Sequence, residues 1–209
     1  MNAAASALDT TQLLAIAAAL GWASGLRLYA VLFLTGIPGW LGWVDLPSGL
    51  RLLQSPVMLV ASGLMLFVEF FADKIPGLDS VWDLIHTVVR IPAGAALAAA
   101  AFGADQASWT MAAALMGGTL AAASHLTKAT TRAAINTSPE PVSNVAASLA
   151  GDSVVPAALW LSWTHPLVFF GALAVALLCS AALVWVLGKF LRTLARRVSG
   201  LFASRQPIV

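Results

Sequence analysis

Apolar residues fall into six runs along the chain, each long enough, or nearly so, to cross a membrane as a helix. A membrane-spanning helix needs about 20 apolar residues. The runs cover residues 13–34, 56–71, 80–102, 109–126, 141–163 and 167–187. The pattern predicts an all-α integral membrane protein with about six transmembrane helices.

The six runs differ in how regular they are. The first, fourth and sixth have the character of conventional spans, although Arg27 interrupts the first. The second is short, and the third and fifth contain Pro92 and Pro156 together with charged residues. Such interrupted runs are typical of re-entrant or broken helices that line a cavity. We therefore expect some of these spans to be short or broken.

The two halves of the chain share a pattern that predicts an internal repeat. Ala23-Ser24 precedes Leu26 in the first run, and Ala123-Ser124 precedes Leu126 in the fourth. A Ser-Pro pair, which favours a helix start, precedes both the second and the fifth run. Three spans are an odd number, so the two repeats would lie inverted in the membrane, as in many transporters. We predict one membrane domain, 1–188, with repeats at about 11–104 and 108–188.

Composition narrows the class of protein. Apolar residues make up 60% of the chain and charged residues 10%, whereas a soluble domain carries about 25% charged residues. This excludes an ordinary soluble enzyme and a disordered chain. We expect the lipid bilayer to be the main partner.

The net charge of +2 comes from a basic tail at 189–209 with five Lys and Arg residues. A basic tail after the last apolar run is typical of a cytoplasmic segment that faces lipid. No basic face that would bind nucleic acid is visible. Because Lys74, Lys128 and Arg132 fall in predicted inner segments and only Arg51 in an outer one, both termini are predicted to be cytoplasmic, in a bacterial inner membrane.

Charged residues inside apolar runs are costly and usually mark function. Glu69 and Asp73 are four residues apart, as are Asp79 and Asp83, so each pair shares a helix face. The polar stretch 133–144 leads into a helix whose free N–H groups could bind an anion. The predicted ion- or substrate-binding residues are Arg27, Glu69, Asp73, Lys74, Asp79, Asp83, Lys128, Arg132, Asn136, Glu140, Asn144 and Asp152.

Three readings of this set stay open. The four acids Glu69, Asp73, Asp79 and Asp83 are candidate ligands for a metal of unknown identity. Alternatively, the charges form a structural salt-bridge network, or solvated loops with helix caps. The chain has no Cys/His zinc spacing and no phosphate-binding glycine loop, so no cofactor is expected.

The runs 22–29, 69–83 and 131–141 resemble a family of small bacterial membrane proteins catalogued as domain of unknown function 4126. The resemblance covers nearly the whole chain and implies an integral membrane protein without supplying an activity. A weaker similarity is to cation/proton exchangers with three-plus-three inverted repeats. Their motif has two residues between Glu and Asp, whereas Glu69 and Asp73 have three between them, and Ser148 stands where the second half would need an acid.

Three functions are compatible with these observations. The first is a small transporter or channel for an ion or a small anionic solute. In it, Asp73 and Asp152, supported by Glu69, bind a cation or proton, while Arg27 and Lys128 neutralise them or bind an anion. The second is a lipid-phosphate-handling protein, either a flippase or an enzyme. The third is a non-catalytic scaffold whose Ala- and Gly-rich spans suit a homo-oligomer.

Overall fold

The computed structural model describes residues 8–103, 106–137 and 141–203. The described chain is helical, with short connecting turns and no strand. The elements are α1 Thr10–Trp40, the 3-10 segment Ser48–Gln54, α2 Pro56–Ala72, α3 Leu78–Ala100, α4 Ala107–Ile135, α5 Pro141–Thr164 and α6 Pro166–Ala203.

Four of these helices, α1, α3, α5 and α6, are long and apolar enough to cross a membrane. The 3-10 segment and α2 meet at 68° and make a fifth candidate, as a broken span or re-entrant loop. α4 is not among the candidates in the described residues, although the sequence predicts 109–126 as a conventional span. Its Ser, Thr, Gly, His and Lys residues lower the hydropathy of this long helix.

Helix α1 occupies the centre of the molecule and contacts every other helix. In the most apolar 18-residue stretch of α1, 78% is buried inside the protein. In the most apolar stretch of α6 the buried share is 11%. The helix begins at a capping box, in which Asp9 accepts from the Gln12 backbone N–H at 2.7 Å. A helix that is buried on most sides needs no broad polar face, in keeping with the apolar run that forms it.

Small residues bring α1, α3 and α4 together backbone to backbone. A Cβ atom added at Gly21 would lie 2.5 Å from the Gly117 Cα atom. A Cβ at Gly117 would lie 2.7 Å from the carbonyl oxygen of Gly94 and would also meet the Ala98 methyl group. This is the small-residue packing that membrane helices use for close contact.

The break in helical geometry lies at Arg27, inside α1, where φ is −147° and ψ is 82°. Helices α3 and α5 run on as single helices across Pro92 and Pro156. The expectation of short or broken spans holds for the second span, where the 3-10 segment and α2 meet at 68°. It is wrong for the third and fifth spans, which their prolines do not break. Proline removes one backbone hydrogen bond, and packing against neighbouring helices permits the helix to continue.

The helix contacts of the two halves are unequal. Helix α3 packs extensively along α4. In the predicted repeat α6 corresponds to α3 and α1 to α4, yet α6 and α1 share few contacts. Helix α5 is held mainly by α1 and touches α4 only slightly. The side formed by α5 and α6 is therefore looser than the side formed by α1, α3 and α4.

Candidate functional site: an ion-pair network beside a cavity

Side chains from α4 hold the turn of α1 around the break. The Ser124 hydroxyl donates to the Trp22 carbonyl at 2.6 Å, and the Lys128 ammonium donates to the Leu26 carbonyl at 3.2 Å. A kink persists where side chains insert among the backbone hydrogen bonds in this way. The break is thus supported by a partner from the other half of the chain.

Arg27 lies at this break and bonds acids from both halves. Its guanidinium is 2.9 Å from an Asp73 carboxylate oxygen and 2.9 Å from an Asp152 carboxylate oxygen. It also donates to the Ser148 hydroxyl at 2.8 Å. Asp73 ends α2 and Asp152 lies in α5, so Arg27 joins three elements.

These contacts belong to a longer chain of alternating charges, here called the ion-pair network. Lys128 bridges Asp73 at 2.7 Å and Asp83 at 2.9 Å. Arg90 bridges Asp83 and Glu69, each at 2.6 Å. In the described part of the chain the network has eight members, in the order Lys74, Asp152, Arg27, Asp73, Lys128, Asp83, Arg90 and Glu69.

The two ends of the network have different surroundings. At the sealed end, the Glu69 and Arg90 side chains are both 0% exposed. At the open end, the Lys74 and Asp152 side chains are 18% and 20% exposed, and their charged atoms are 3.2 Å apart. The same kind of ion pair is therefore fully buried at one end and partly exposed at the other.

A second cluster lies at the start of α3. Asp79 accepts hydrogen bonds from the backbone N–H groups of Gly77 and Ser80 and from the Asn136 amide, at 2.7–3.0 Å. Arg132 approaches Asp79 only through Nε at 3.6 Å, beyond hydrogen-bond distance. Arg132 instead donates to the Asn144 carbonyl at 2.9 Å. Its charge is thus the most weakly neutralised in the two clusters.

A cavity of about 400 Å³ lies beside the break, here called the break cavity. One wall is a polar stripe on α4, with residues at helical spacings of three and four. The facing walls come from α5 and α6 and are largely apolar. The stripe consists of Ser124, Thr127, Lys128, Thr131 and Arg132, and the facing residues include Ala147, Ala150, Val154, Ala176 and Leu183.

The structure brings together most of the predicted site residues. Seven lie in the ion-pair network, and Asp79, Arg132, Asn136 and Asn144 form or adjoin the second cluster. Arg27, Asp73, Lys128 and Arg132 line the break cavity. Glu140 lies outside the described residues.

The four candidate metal ligands do not gather into a metal site. Glu69, Asp73 and Asp83 each bond Arg or Lys side chains, and Asp79 bonds N–H groups. Within the described residues no three His, Cys, Asp or Glu side chains are grouped so that they could hold a metal ion. These acids instead have cations and amides as partners.

Three residues that matter here are missing from the predicted set. Arg90 completes the sealed end, Ser148 bonds Arg27, and Thr131 extends the α4 stripe. The sequence contains a signal for Arg90 and one for Thr131. Arg90 follows Asp83 by seven residues, which places both on one helix face, and the α4 residues recur at helical spacing. Nothing in the sequence indicates that Ser148 approaches Arg27 from a distance of 121 residues.

The fold and the site together define a class of protein: an all-helical chain with several membrane-length apolar helices around a buried charged network. The chain belongs to the family described as "Domain of unknown function (DUF4126)", which matches residues 14–187. That range contains the whole ion-pair network and the lining of the break cavity. No curated protein and no solved structure is significantly similar to the chain.

Proposed function

We propose that this protein is a small membrane transporter or channel for an ion or small solute, with the break cavity as its binding site. The observation that carries the proposal is that charged side chains from both halves of the chain line the same cavity. Arg27 from α1, Asp73 from the end of α2 and Lys128 from α4 all line the break cavity, and Asp152 from α5 contacts Arg27.

The break in α1 supports this function. Non-helical backbone at membrane depth is tolerated where it is buried in protein or lines a cavity. Discontinuous helices of this kind form the substrate sites of many transporters. Here the break lies at Arg27, which is itself a lining residue of the cavity.

A transport function is also supported by the fact that charged side chains in the ion-pair network have more than one oppositely charged partner. Asp73 is ion-paired with both Arg27 and Lys128, so an incoming cation can replace one of them without leaving the carboxylate unpaired. An incoming anion can likewise replace Asp73 beside Lys128, which retains Asp83. Exchanges of this kind avoid the several kcal/mol that an unpaired buried charge costs.

We include in the same proposal the arrangement of the helices as two repeats and their orientation in the membrane. α1–α3 and α4–α6 would be inverted repeats in a bacterial inner membrane, with both termini and the basic tail in the cytoplasm. The unequal packing of the two halves is what a single end state of such a transporter needs, because alternating access moves one repeat against the other.

A non-catalytic scaffold is the alternative that complete charge pairing would favour. Pairing alone, however, does not require a cavity with charged residues on its wall. The roughly 400 Å³ cavity beside Arg27, Asp73 and Lys128 is a feature that transport uses and a scaffold does not.

The test is current measurement on proteoliposomes adsorbed to a solid-supported membrane, after concentration jumps of potassium chloride, sodium phosphate and sodium hexanoate. We expect a protein-dependent current for at least one jump. We expect Asp73→Asn to reduce it about tenfold or more, since a hydrogen bond to a charged group is worth about 1.5–3 kcal/mol. The matched control is Asp45→Asn, the same change at an exposed position.

A second variant guards against a folding defect in Asp73→Asn. The double change Asp73→Asn with Lys128→Gln removes one anion and one cation and keeps the network neutral. Monodisperse protein with the current lost would support the proposal. No protein-dependent current in any of the three jumps, or equal currents in wild type and both variants, would overturn it.

A further inference from the structure

We propose that the break cavity binds an oxyanion attached to a short apolar chain, and that Arg132 holds the oxyanion. The inference rests on the transport function proposed above, because it names the class of solute that this site takes. The head group is a phosphate or carboxylate, and its source is either a lipid or a soluble amphiphile.

The first step is the incomplete pairing of Arg132. In the described ion pairs, Arg27, Lys74, Arg90 and Lys128 each have a carboxylate oxygen within 3.2 Å. Arg132 has its nearest carboxylate at 3.6 Å, on an Asp79 that already accepts three N–H groups. Arg132 is buried and lines the cavity. A guanidinium in this state has donors left for a bidentate oxyanion.

The second step is the sign of the charge on the cavity wall. Three cations, Arg27, Lys128 and Arg132, line the cavity against one acid, Asp73. Asp73, Asp152 and Asp83 lie within 2.9 Å of Arg27 or Lys128 and neutralise both. The charge on the cavity wall that has no close carboxylate is therefore that of Arg132, and a cationic side chain selects an anion over a cation.

The third step is the difference in polarity between the walls of the cavity. Lys128, Thr131 and Arg132 supply polar groups on the α4 wall, and Val154 and Ala176 belong to the apolar wall that α5 and α6 form opposite it. About 400 Å³ falls within the range of small-molecule sites, roughly 300–1,000 Å³. Such a cavity matches a ligand with a charged head and a short apolar chain better than it matches a bare inorganic anion.

The experiment is titration calorimetry of the full chain in phosphatidylcholine nanodiscs, with empty nanodiscs as the blank. The probes are hexyl phosphate, dihexanoyl phosphatidate, inorganic phosphate and hexyltrimethylammonium. We expect hexyl phosphate to bind, inorganic phosphate to bind at least tenfold more weakly, and the cationic amphiphile not to bind. Tighter binding of dihexanoyl phosphatidate would assign the head group to a lipid, and tighter binding of hexyl phosphate to a soluble amphiphile.

Arg132→Gln should weaken binding of the alkyl oxyanion by about tenfold or more, the size of one charge-assisted contact. Arg192→Gln, the same change on the exposed part of α6, should leave it unaltered. A second pair of variants does not touch the charges. Ala176→Leu adds bulk to the apolar wall and should weaken binding of hexyl phosphate but not of inorganic phosphate. Ala174→Leu, at an exposed α6 position outside the cavity lining, should change neither.

Binding of hexyltrimethylammonium as tight as that of hexyl phosphate would overturn the inference. Unchanged binding of hexyl phosphate in folded Arg132→Gln, or in Ala176→Leu, would do the same. Binding as expected without any current in the proteoliposome assay would reject transport and retain the ligand class. Asp73-dependent current without binding of either alkyl oxyanion would reject the ligand class alone.

Discussion

The side of the molecule built from α1, α3 and α4 differs from the side built from α5 and α6. On the first, Gly21 and Gly117 bring helix backbones into contact, and the sealed end of the network is fully buried. On the second, a Cβ at Gly171 would meet no atom within 4 Å, and the open end of the network lies beside the surface. Similar ion pairs therefore lie in different surroundings: they are fully buried at the sealed end and partly exposed at the open end.

The largest effect should come from breaking the sealed end. Arg90→Gln leaves Glu69 and Asp83 buried with one partner fewer, and removing one member of a buried pair costs about 3–5 kcal/mol. Unfolding in mixed micelles, followed by tryptophan fluorescence, measures the loss. Arg192→Gln is the control and should stay within about 0.5 kcal/mol of wild type. If Arg90→Gln lowers the free energy of unfolding by less than about 1 kcal/mol, the sealed and open ends of the ion-pair network do not differ in the way described.

The next effect concerns the helix contacts. Gly117→Ala places a methyl group against Ala98 and 2.7 Å from the Gly94 carbonyl, and such overpacking costs about 1–3 kcal/mol. Gly171→Ala, the same change on the loose side, has open space and should be neutral or stabilising by up to about 1 kcal/mol, because alanine favours helix. The same unfolding assay compares them. Equal losses would show that both sides are packed alike.

A smaller effect is expected at the open end. Asp152→Asn should cost less than about 1 kcal/mol, since its carboxylate is partly exposed. Arg27 keeps Asp73, and Lys74 keeps the Ser148 hydroxyl and the Phe70 ring 3.0 Å below its ammonium. Asp83→Asn, in the sealed part, should cost several times more. A reversed order in the unfolding assay would contradict the assignment of the ends.

The smallest effect on stability is expected from a cysteine variant that tests whether water reaches the break cavity. Its free energy of unfolding should stay within about 0.5 kcal/mol of wild type. Ser180→Cys, introduced with Cys179→Ser, places a thiol on the lining of the break cavity. A charged methanethiosulfonate reagent should label it in proteoliposomes, because reaction needs the hydrated thiolate. Ala121→Cys, on the tight side at 0% exposure, should stay unlabelled. Labelling of both or of neither would contradict a wet cavity on the loose side alone.

The sequence predicts the helical class and singles out most members of the ion-pair network, because both depend on local features. Apolar run length indicates the helices, and the cost of charge in apolar runs picks out Arg27, Glu69 and Asp152. The start of α2 is also confirmed: Ser55 accepts from the Met58 N–H, with Pro56 next in sequence. These predictions need no knowledge of how the helices pack.

The remaining features depend on tertiary contact and do not follow from the sequence alone. Pro92 and Pro156 are read as breaks, yet packing keeps both helices continuous, while the real break at Arg27 is held by Ser124 and Lys128 from α4. The predicted metal ligands bond cations instead, since spacing along a helix does not show which charges lie opposite. The inverted repeat and the likeness to exchangers stay predictions.

The balance of charge in the ion-pair network has an electrical consequence. In the described chain the network contains four carboxylates and four cationic side chains, so it has no net charge. A transmembrane voltage exerts no net force on a neutral group, whereas an ion that crosses the full field gains or loses about 2.3 kcal/mol per 100 mV. If the network moves as one unit during transport, the charge carried in each cycle is that of the solute, and voltage dependence of the current reports the solute's valence directly.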